Sequence, residues 1–296
     1  MSPLATPATE TGLRLGGKVL FHRRETTGWL QVYVLDLETQ ETQALTEGEA
    51  NNYDPAWSPD GTQIAFISDR SPLSEYGTLW LMDADGTHQR SLLEEGNYIE
   101  MGPSWSPDGT RIAIESNRPG KVGINPEIFI VDVASGELTN LTQDPAFEAN
   151  PAWSPDGAQI AFVSDRSGNA EIWVVNVDGS GLRQVTNSPT VGEWRPAWSP
   201  DGRSLAYESF PMTAPRVLMM QRVDEGSARK IDTFSIWNQW PAWVSADILL
   251  FAASETFDAD LQQASPAHLY ALNLTSGQAV QLTSGPEDDG RPSWRP

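Results

Sequence analysis

Short runs of alternating and β-rich residues, rather than helical stripes, fill this chain. From Ala158 to Ser164 it reads AQIAFVS, with Ile160, Phe162 and Ser164 alternating with smaller residues. Alternation of period two predicts a half-buried strand. The next run, EIWVVNV from Glu171, is rich in β-branched and aromatic residues and predicts another strand. With PAWS ahead of them and RQVT behind, Pro151 to Thr186 reads as four successive strands. No long window carries helical periodicity, so the predicted class is all-β.

The unit recurs. DPAWSPDGTQIAFISDR starts at Asp54, GPSWSPDGTRIAIESNR at Gly102 and RPAWSPDGRSLAYES at Arg195. The proline of the phrase falls at Pro55, Pro103, Pro151, Pro196, Pro241 and Pro292, at spacings of 48, 48, 45, 45 and 51 residues. A period in the forties filled with short strands is the mark of a β-propeller. The last phrase, RPSWRP, ends the chain, and its missing strands are GKVLFHRR, GWLQVYVLDL and TQALT, between Gly17 and Thr46. The ring therefore closes by pairing the C-terminal strand with N-terminal strands, which removes exposed sheet edges. Six phrases predict six four-stranded antiparallel blades in one domain over residues 15–296, after a flexible Pro/Thr/Ala tail over 1–14.

Turn chemistry explains part of the phrase. In SPDG, Ser opens a type I turn, Pro presets φ at the second position and Gly takes the last. That turn joins the first two strands of a blade. Trp57, Trp105, Trp153, Trp198, Trp243 and Trp294 recur at one position and are read as wedges between neighbouring blades. The SDR-like pairs Asp69–Arg70, Asn117–Arg118 and Asp165–Arg166 recur too, and each Arg is expected to donate to nearby carbonyls or carboxylates.

Composition narrows the function classes. Among 296 residues, 19 are Lys or Arg and 40 are Asp or Glu, a formal charge of −21. Phosphate backbones would be repelled, so nucleic acid is not the expected partner. With no Cys there is no disulfide, thiolate metal site or cysteine nucleophile, which is compatible with an oxidising compartment. No apolar run reaches the ~20 residues of a transmembrane helix. The N-terminus MSPLATPATETG lacks a signal peptide's basic start and apolar core, and we read it as an initiator Met standing in place of a removed secretion signal. The alternative is a cytoplasmic protein with a short tail.

The phrase and its continuation IAFVSDRSGNAEIWVVNVDGSGLRQVT resemble the repeat of TolB-type β-propellers, over essentially all of Gly16 to Pro296. The resemblance implies a bacterial binding module, commonly periplasmic or extracellular. The small domain that precedes the TolB propeller has no counterpart in this sequence. Related propellers precede the hydrolase domain of prolyl oligopeptidase-like enzymes, but no G-x-S-x-G elbow occurs here. Some pectin lyases use such a propeller with histidines and a metal in the channel. Here His22, His88 and His268 fall at different blade positions and suggest no shared ligand set.

Comparison of the copies points to a candidate site. The loops between second and third strands diverge, from RRETTG to SETFDADLQQASPA, and loops on a rigid scaffold are where recognition commonly resides. Three positions before each proline stand Asn52, Glu100, Glu148, Glu193, Asn238 and Asp289. One position before it stand Asp54, Gly102, Asn150, Arg195, Trp240 and Arg291. If the first strand is innermost, both sets ring the channel mouth. Tyr53, Trp194, Trp237 and Trp240 flank the same segments outside the repeated Trp position and offer anchors. One reading makes the acids blade caps. The other makes them an anionic funnel for a cationic peptide segment or a metal ion, with Arg195 and Arg291 as internal partners. Calcium needs roughly six to eight oxygens in a tight shell, so peptide ranks above metal and no cofactor is expected.

The leading functional expectation is therefore a monomeric, noncatalytic module binding a protein or peptide at the channel mouth. An enzyme using paired carboxylates such as Glu148 and Glu193 on a glycan is the second reading. A carbohydrate- or small-molecule-binding propeller with aromatic platforms is the third.

Overall fold

The phrase does not begin its strand at the proline, as the alternation suggested, but three residues earlier. In blade 3 the strands are Glu148–Trp153, Gln159–Ser164, Glu171–Asn176 and Arg183–Gln184, each antiparallel to the next. The first strand crosses a register break between Ala149 and Ala152, so the residues before Pro151 belong to the sheet. The computed structural model describes residue 13 and residues 15–74, 76–94, 96, 98–118, 125–211, 215–235, 237–258 and 263–296. Apart from Leu13, the predicted tail lies outside the described residues, as do parts of the longer variable loops.

Six four-stranded sheets make the ring, together with a two-stranded ribbon, Phe257–Asp258 with Gln263–Ala264, inside the long loop of blade 5. Blades 1 to 5 open with Asn52–Trp57, Glu100–Trp105, Glu148–Trp153, Val191–Trp198 and Trp237–Ser245. Blade 6 is composite. Its inner strand, Asp288–Arg295, pairs antiparallel with Lys18–Arg24, followed by Leu30–Asp36 and Thr42–Ala44. The ring closure expected from the missing strands is thus present. The six opening strands touch one another in turn around the axis.

The core sits between blades. Six apolar clusters each straddle one blade junction, and each contains one of the repeated tryptophans. Trp105, for example, packs with Ile67, Leu79 and Leu81 of blade 1 and Ile112, Ile114 and Phe129 of blade 2. Its indole N–H donates to the Ala56 carbonyl across the junction at 3.1 Å, and Trp198 and Trp243 repeat this with Ala152 and Ala197. The SPDG turn also closes as its residues predict. Gly61 N–H donates to the Ser58 carbonyl at 2.8 Å, and Ser58 Oγ donates to Asp60 Oδ1 at 2.7 Å. Gly61 has φ of 66°, a conformation that costs glycine little.

One feature of the inner strand positions the site. Each carries a β-bulge at the residue before the proline and the proline itself. Proline cannot donate to a ladder, and an innermost strand has a free edge toward the channel, so the bulge tolerates it. The residue before it is left-handed in every copy: φ is 53° at Asp54, 65° at Gly102, 53° at Asn150, 53° at Arg195, 51° at Trp240 and 54° at Arg291. For the five non-glycine residues this costs ~1–3 kcal/mol each. The strain turns six side-chain positions toward the axis.

Candidate functional site

The two predicted rings separate at this bulge. Asn52, Glu100, Glu148, Glu193, Asn238 and Asp289 are all buried and do not open into the channel. The anionic funnel is corrected accordingly: pleating points these side chains into the blade junctions, where they hold neighbouring segments together. Glu100 accepts the Leu79 amide of blade 1 at 2.8 Å and pairs with Arg118. Glu148 pairs with Arg166, and Asp289 accepts two hydrogen bonds from Arg23 at 2.6 and 3.0 Å. Asn52 accepts from Arg70 at 2.6 Å and donates to Gln31 of blade 6 at 2.9 Å. Asn238 donates to the Ser235 carbonyl at 3.0 Å, and Glu193 accepts from Ser188 Oγ at 2.7 Å. The arginines of the SDR-like pairs are therefore the partners of this ring. Each also lies against an aromatic ring: Arg70 on Trp80 at 4.4 Å, Arg118 on Tyr98 at 4.4 Å and Arg166 on Trp173 at 5.1 Å.

The second ring meets at the channel waist. Arg291 donates to Asp54 at 2.5 Å, and Asp54 also accepts the Gly102 amide at 3.2 Å. A Cβ on Gly102 would lie 3.2 Å from Arg291 Nη2, so a side chain there would press on the guanidinium. Arg195 donates through Nη1 to both oxygens of Glu208, at 3.0 and 2.8 Å. Trp240 meets His22 edge to face, with centroids 5.6 Å apart, and lies under the Arg195 guanidinium at 4.9 Å.

Sequence reasoning missed the residues behind this ring. Three second-strand side chains accept the bulge amides of the following blade: Glu115 takes Asn150 N–H at 2.8 Å, Glu208 takes Trp240 N–H at 2.7 Å and His22 Nδ1 takes Asp54 N–H at 3.4 Å. Burial lowers the His22 pKa to about 4, so the ring is neutral and free to accept. A signal existed. Glu115 and Glu208 interrupt the apolar run where the sister copies carry Ile67 and Val163. Arg216, which also donates to Glu208 at 3.4 Å, gave no such sign.

On the SPDG side of the waist lies a cavity of about 440 Å³. Its wall comprises the repeated prolines, the small residues after them, such as Ser104, Ala152 and Ala197, and the edges of the repeated tryptophans. Its floor is Asn150, Arg195, Trp240 and Arg291. Tyr53, Trp194 and Trp237 belong to the opposite side. Tyr53 donates to the Tyr76 carbonyl at 2.6 Å, Trp194 packs on Phe147 with centroids 6.0 Å apart, and Trp237 packs on Phe210 at the same separation. The three histidines stand apart: His22 at the waist, His88 beside Asp83 on the surface and His268 near Asp289. Among the described residues no three His, Asp or Glu side chains are grouped as around a metal ion.

Buried acids predict an unusual pH profile. Desolvation raises Glu115, Glu148 and Glu193 from 4.5 to about 7. Between those values the folded chain holds protons that the unfolded chain has released, so stability falls as pH rises through this window and levels off above it. The turn aspartates Asp60, Asp108, Asp156 and Asp201 are held below 3.8 by Ser hydroxyls and backbone amides. Their contribution is present above 3.8 and is lost as pH falls further. The melting temperature should therefore be higher near pH 5 than at pH 7.5, and drop again in stronger acid. Combined Glu115→Gln, Glu148→Gln and Glu193→Gln substitution should flatten the upper limb. A wild-type midpoint that climbs from pH 5 to 7.5 contradicts the burial cost.

Fold and repeat together define a six-bladed propeller with a proline-walled cavity on one side of the arginine-bearing ring. Residues 77–195 match the model of the TolB beta propeller domain. The crystal structure of TolB from Acinetobacter baumannii superposes with a TM-score of 0.77 at 19% identity, covering 94% of this chain and 66% of that one. An oligogalacturonate lyase from Vibrio parahaemolyticus superposes with a TM-score of 0.61 at 21% identity, covering 90% of this chain and 74% of that one. The uncharacterized peptidase YuxL of Bacillus subtilis is 36% identical over 61 residues, 21% of this chain and 9% of the peptidase. The chain is similar to TolB-type β-propellers, in the matched repeat and in fold.

Proposed function

We propose that this propeller is a noncatalytic binding module that takes an extended protein or peptide segment into the mouth of its central channel. The cavity carries this reading. It is walled by proline, small residues and tryptophan edges, and among the described residues its lining offers asparagine and two arginines but no carboxylate or imidazole for acid–base chemistry. Glu148 and Glu193, the pair an enzyme reading would use, are buried among partners of their own. Among the described residues no helix is long and apolar enough to cross a membrane. A periplasmic or extracellular location, supported by the TolB-type repeat, and a monomeric state belong to the proposal.

An immobilised array of synthetic peptides, probed with the wild-type chain and with Ala152→Leu/Ala197→Leu, tests it. Both alanines line the cavity, so leucines narrow it. Peptide affinity should fall at least about tenfold, equivalent to 1.4 kcal/mol, while the melting curve holds. Affinity untouched by the narrowing, or turnover of a glycan by the wild type, overturns the reading.

A further inference from the structure

We propose that the channel floor recognises a carboxylate group, which Arg195 and Arg291 grip at the end of an apolar extended segment. The inference rests on the channel-binding reading and deepens it. In a chain of formal charge −21, the charged side chains that line the cavity, among the described residues, are these two arginines. Their ion pairs are oriented. The Arg195 and Arg291 side chains are 29% and 22% exposed, whereas their partners Glu208 and Asp54 are 1% and 8% exposed and absent from the lining. The cation faces the space and the anion lies behind it.

Donors remain for a ligand. Arg195 spends Nη1 on both oxygens of Glu208, and Arg291 spends Nη1 on Asp54. Among the described residues Nη2 of each guanidinium donates to no protein acceptor. Glu208 is shared with a second cation, Arg216, so it neutralises Arg195 only in part. Burial raises the pKa of Glu115, which accepts the Asn150 amide at the floor, and so weakens its countercharge. Guanidinium forks suit planar carboxylates, and water-poor surroundings strengthen each charged hydrogen bond. The floor is also rigid, since Arg195 stacks on Trp240 and the left-handed backbone fixes both arginines.

The rim narrows the class further. The SPDG turns on this side carry exposed aspartates, Asp60, Asp108, Asp156 and Asp201, and Pro59 and Pro107 of two of these turns line the cavity. A polyanion meets repulsion there, whereas one carboxylate on an apolar body passes. A free C-terminal α-carboxylate and a single Asp or Glu side chain share this chemistry.

Calorimetry with three probes separates them: N-acetyl-Pro-Leu-Ala-Val as free acid, the same peptide as C-terminal amide, and N-acetyl-Pro-Leu-Ala-Glu amide. The free acid should bind at least about tenfold tighter than its amide, as expected of a charged hydrogen-bond pair. Arg195→Gln, checked by melting because Glu208 keeps Arg216, should reduce the acid to the amide's affinity. Glu-amide binding as tight as the free acid assigns the site to side-chain carboxylates, and weak Glu-amide binding assigns it to chain ends. Equal affinity of acid and amide, both lost on narrowing the cavity, overturns the carboxylate inference and leaves the channel reading standing. Acid binding indifferent to Arg195→Gln, or no binding by any probe, also overturns it.

Discussion

A chain ending at Gly290 should lose its cooperative thermal transition and aggregate. The segment Arg291–Pro296 is most of the inner strand of blade 6, paired through Lys18↔Arg295, Val19↔Trp294 and Leu20↔Ser293. Its removal strips the wedge Trp294 from the cluster of Val19, Phe21, Leu250 and Leu269. It also removes the Ser293 hydroxyl that accepts Trp57 N–H at 3.2 Å and the Arg291 partner of Asp54. Arg295, whose guanidinium lies 4.2 Å from the Trp57 centroid and donates to the Gly61 carbonyl at 2.6 Å, goes with them. One large-to-small change at such a tryptophan costs ~3–5 kcal/mol, and total stability is of order 5–15 kcal/mol. Losing a whole junction and exposing the edge of Lys18–Arg24 exceeds that margin. Calorimetry and size-exclusion chromatography check the outcome. A truncated chain that stays monomeric with an unchanged midpoint shows that the ring is not held shut by this strand.

Closure was legible in the sequence because the repeat is periodic and incomplete at both ends. The missing strands could be counted, and only one pairing completes the sixth blade. The site was less legible for a reason two residues wide. Asn52 and Asp54, like Glu148 and Asn150, look alike in sequence as polar residues ahead of a proline. The pleat sends the first into the blade junction, and the bulge turns the second to the axis. Register and bulge are properties of paired strands, and no single run of residues declares them. Gly, Asn and Asp at one repeat position do suit a left-handed backbone, but Arg195, Trp240 and Arg291 at the same position mask the pattern. The cavity was misplaced for the same reason. Variable loops drew attention to one face, while the nearly constant SPDG turns frame the mouth on the other.

Breaking the buried ring that sequence assigned to the mouth should destabilise the whole propeller. Arg118→Ala leaves Glu100 fully buried with the Leu79 amide as its remaining neighbour of opposite polarity. An uncompensated buried charge costs ~3–5 kcal/mol, and the melting temperature should fall by about ten degrees for a chain of this size. Desolvation already raises the Glu100 pKa against the pull of Arg118, so removing the arginine raises it further. The deficit should therefore be smaller at pH 5, where the carboxyl is more protonated, than at pH 7.5. Adding Glu100→Gln removes the stranded charge while keeping an oxygen for Leu79 N–H, and most of the loss should return. Arg118 also lies 4.4 Å from the Tyr98 centroid and donates to the Glu94 carbonyl at 2.5 Å. If the double variant recovers nothing, those contacts rather than the ion pair fasten blade 2 to its neighbour. If Arg118→Ala melts like the wild type at both pH values, the acid ring is not the joint of the propeller, and its burial lacks the structural role assigned to it.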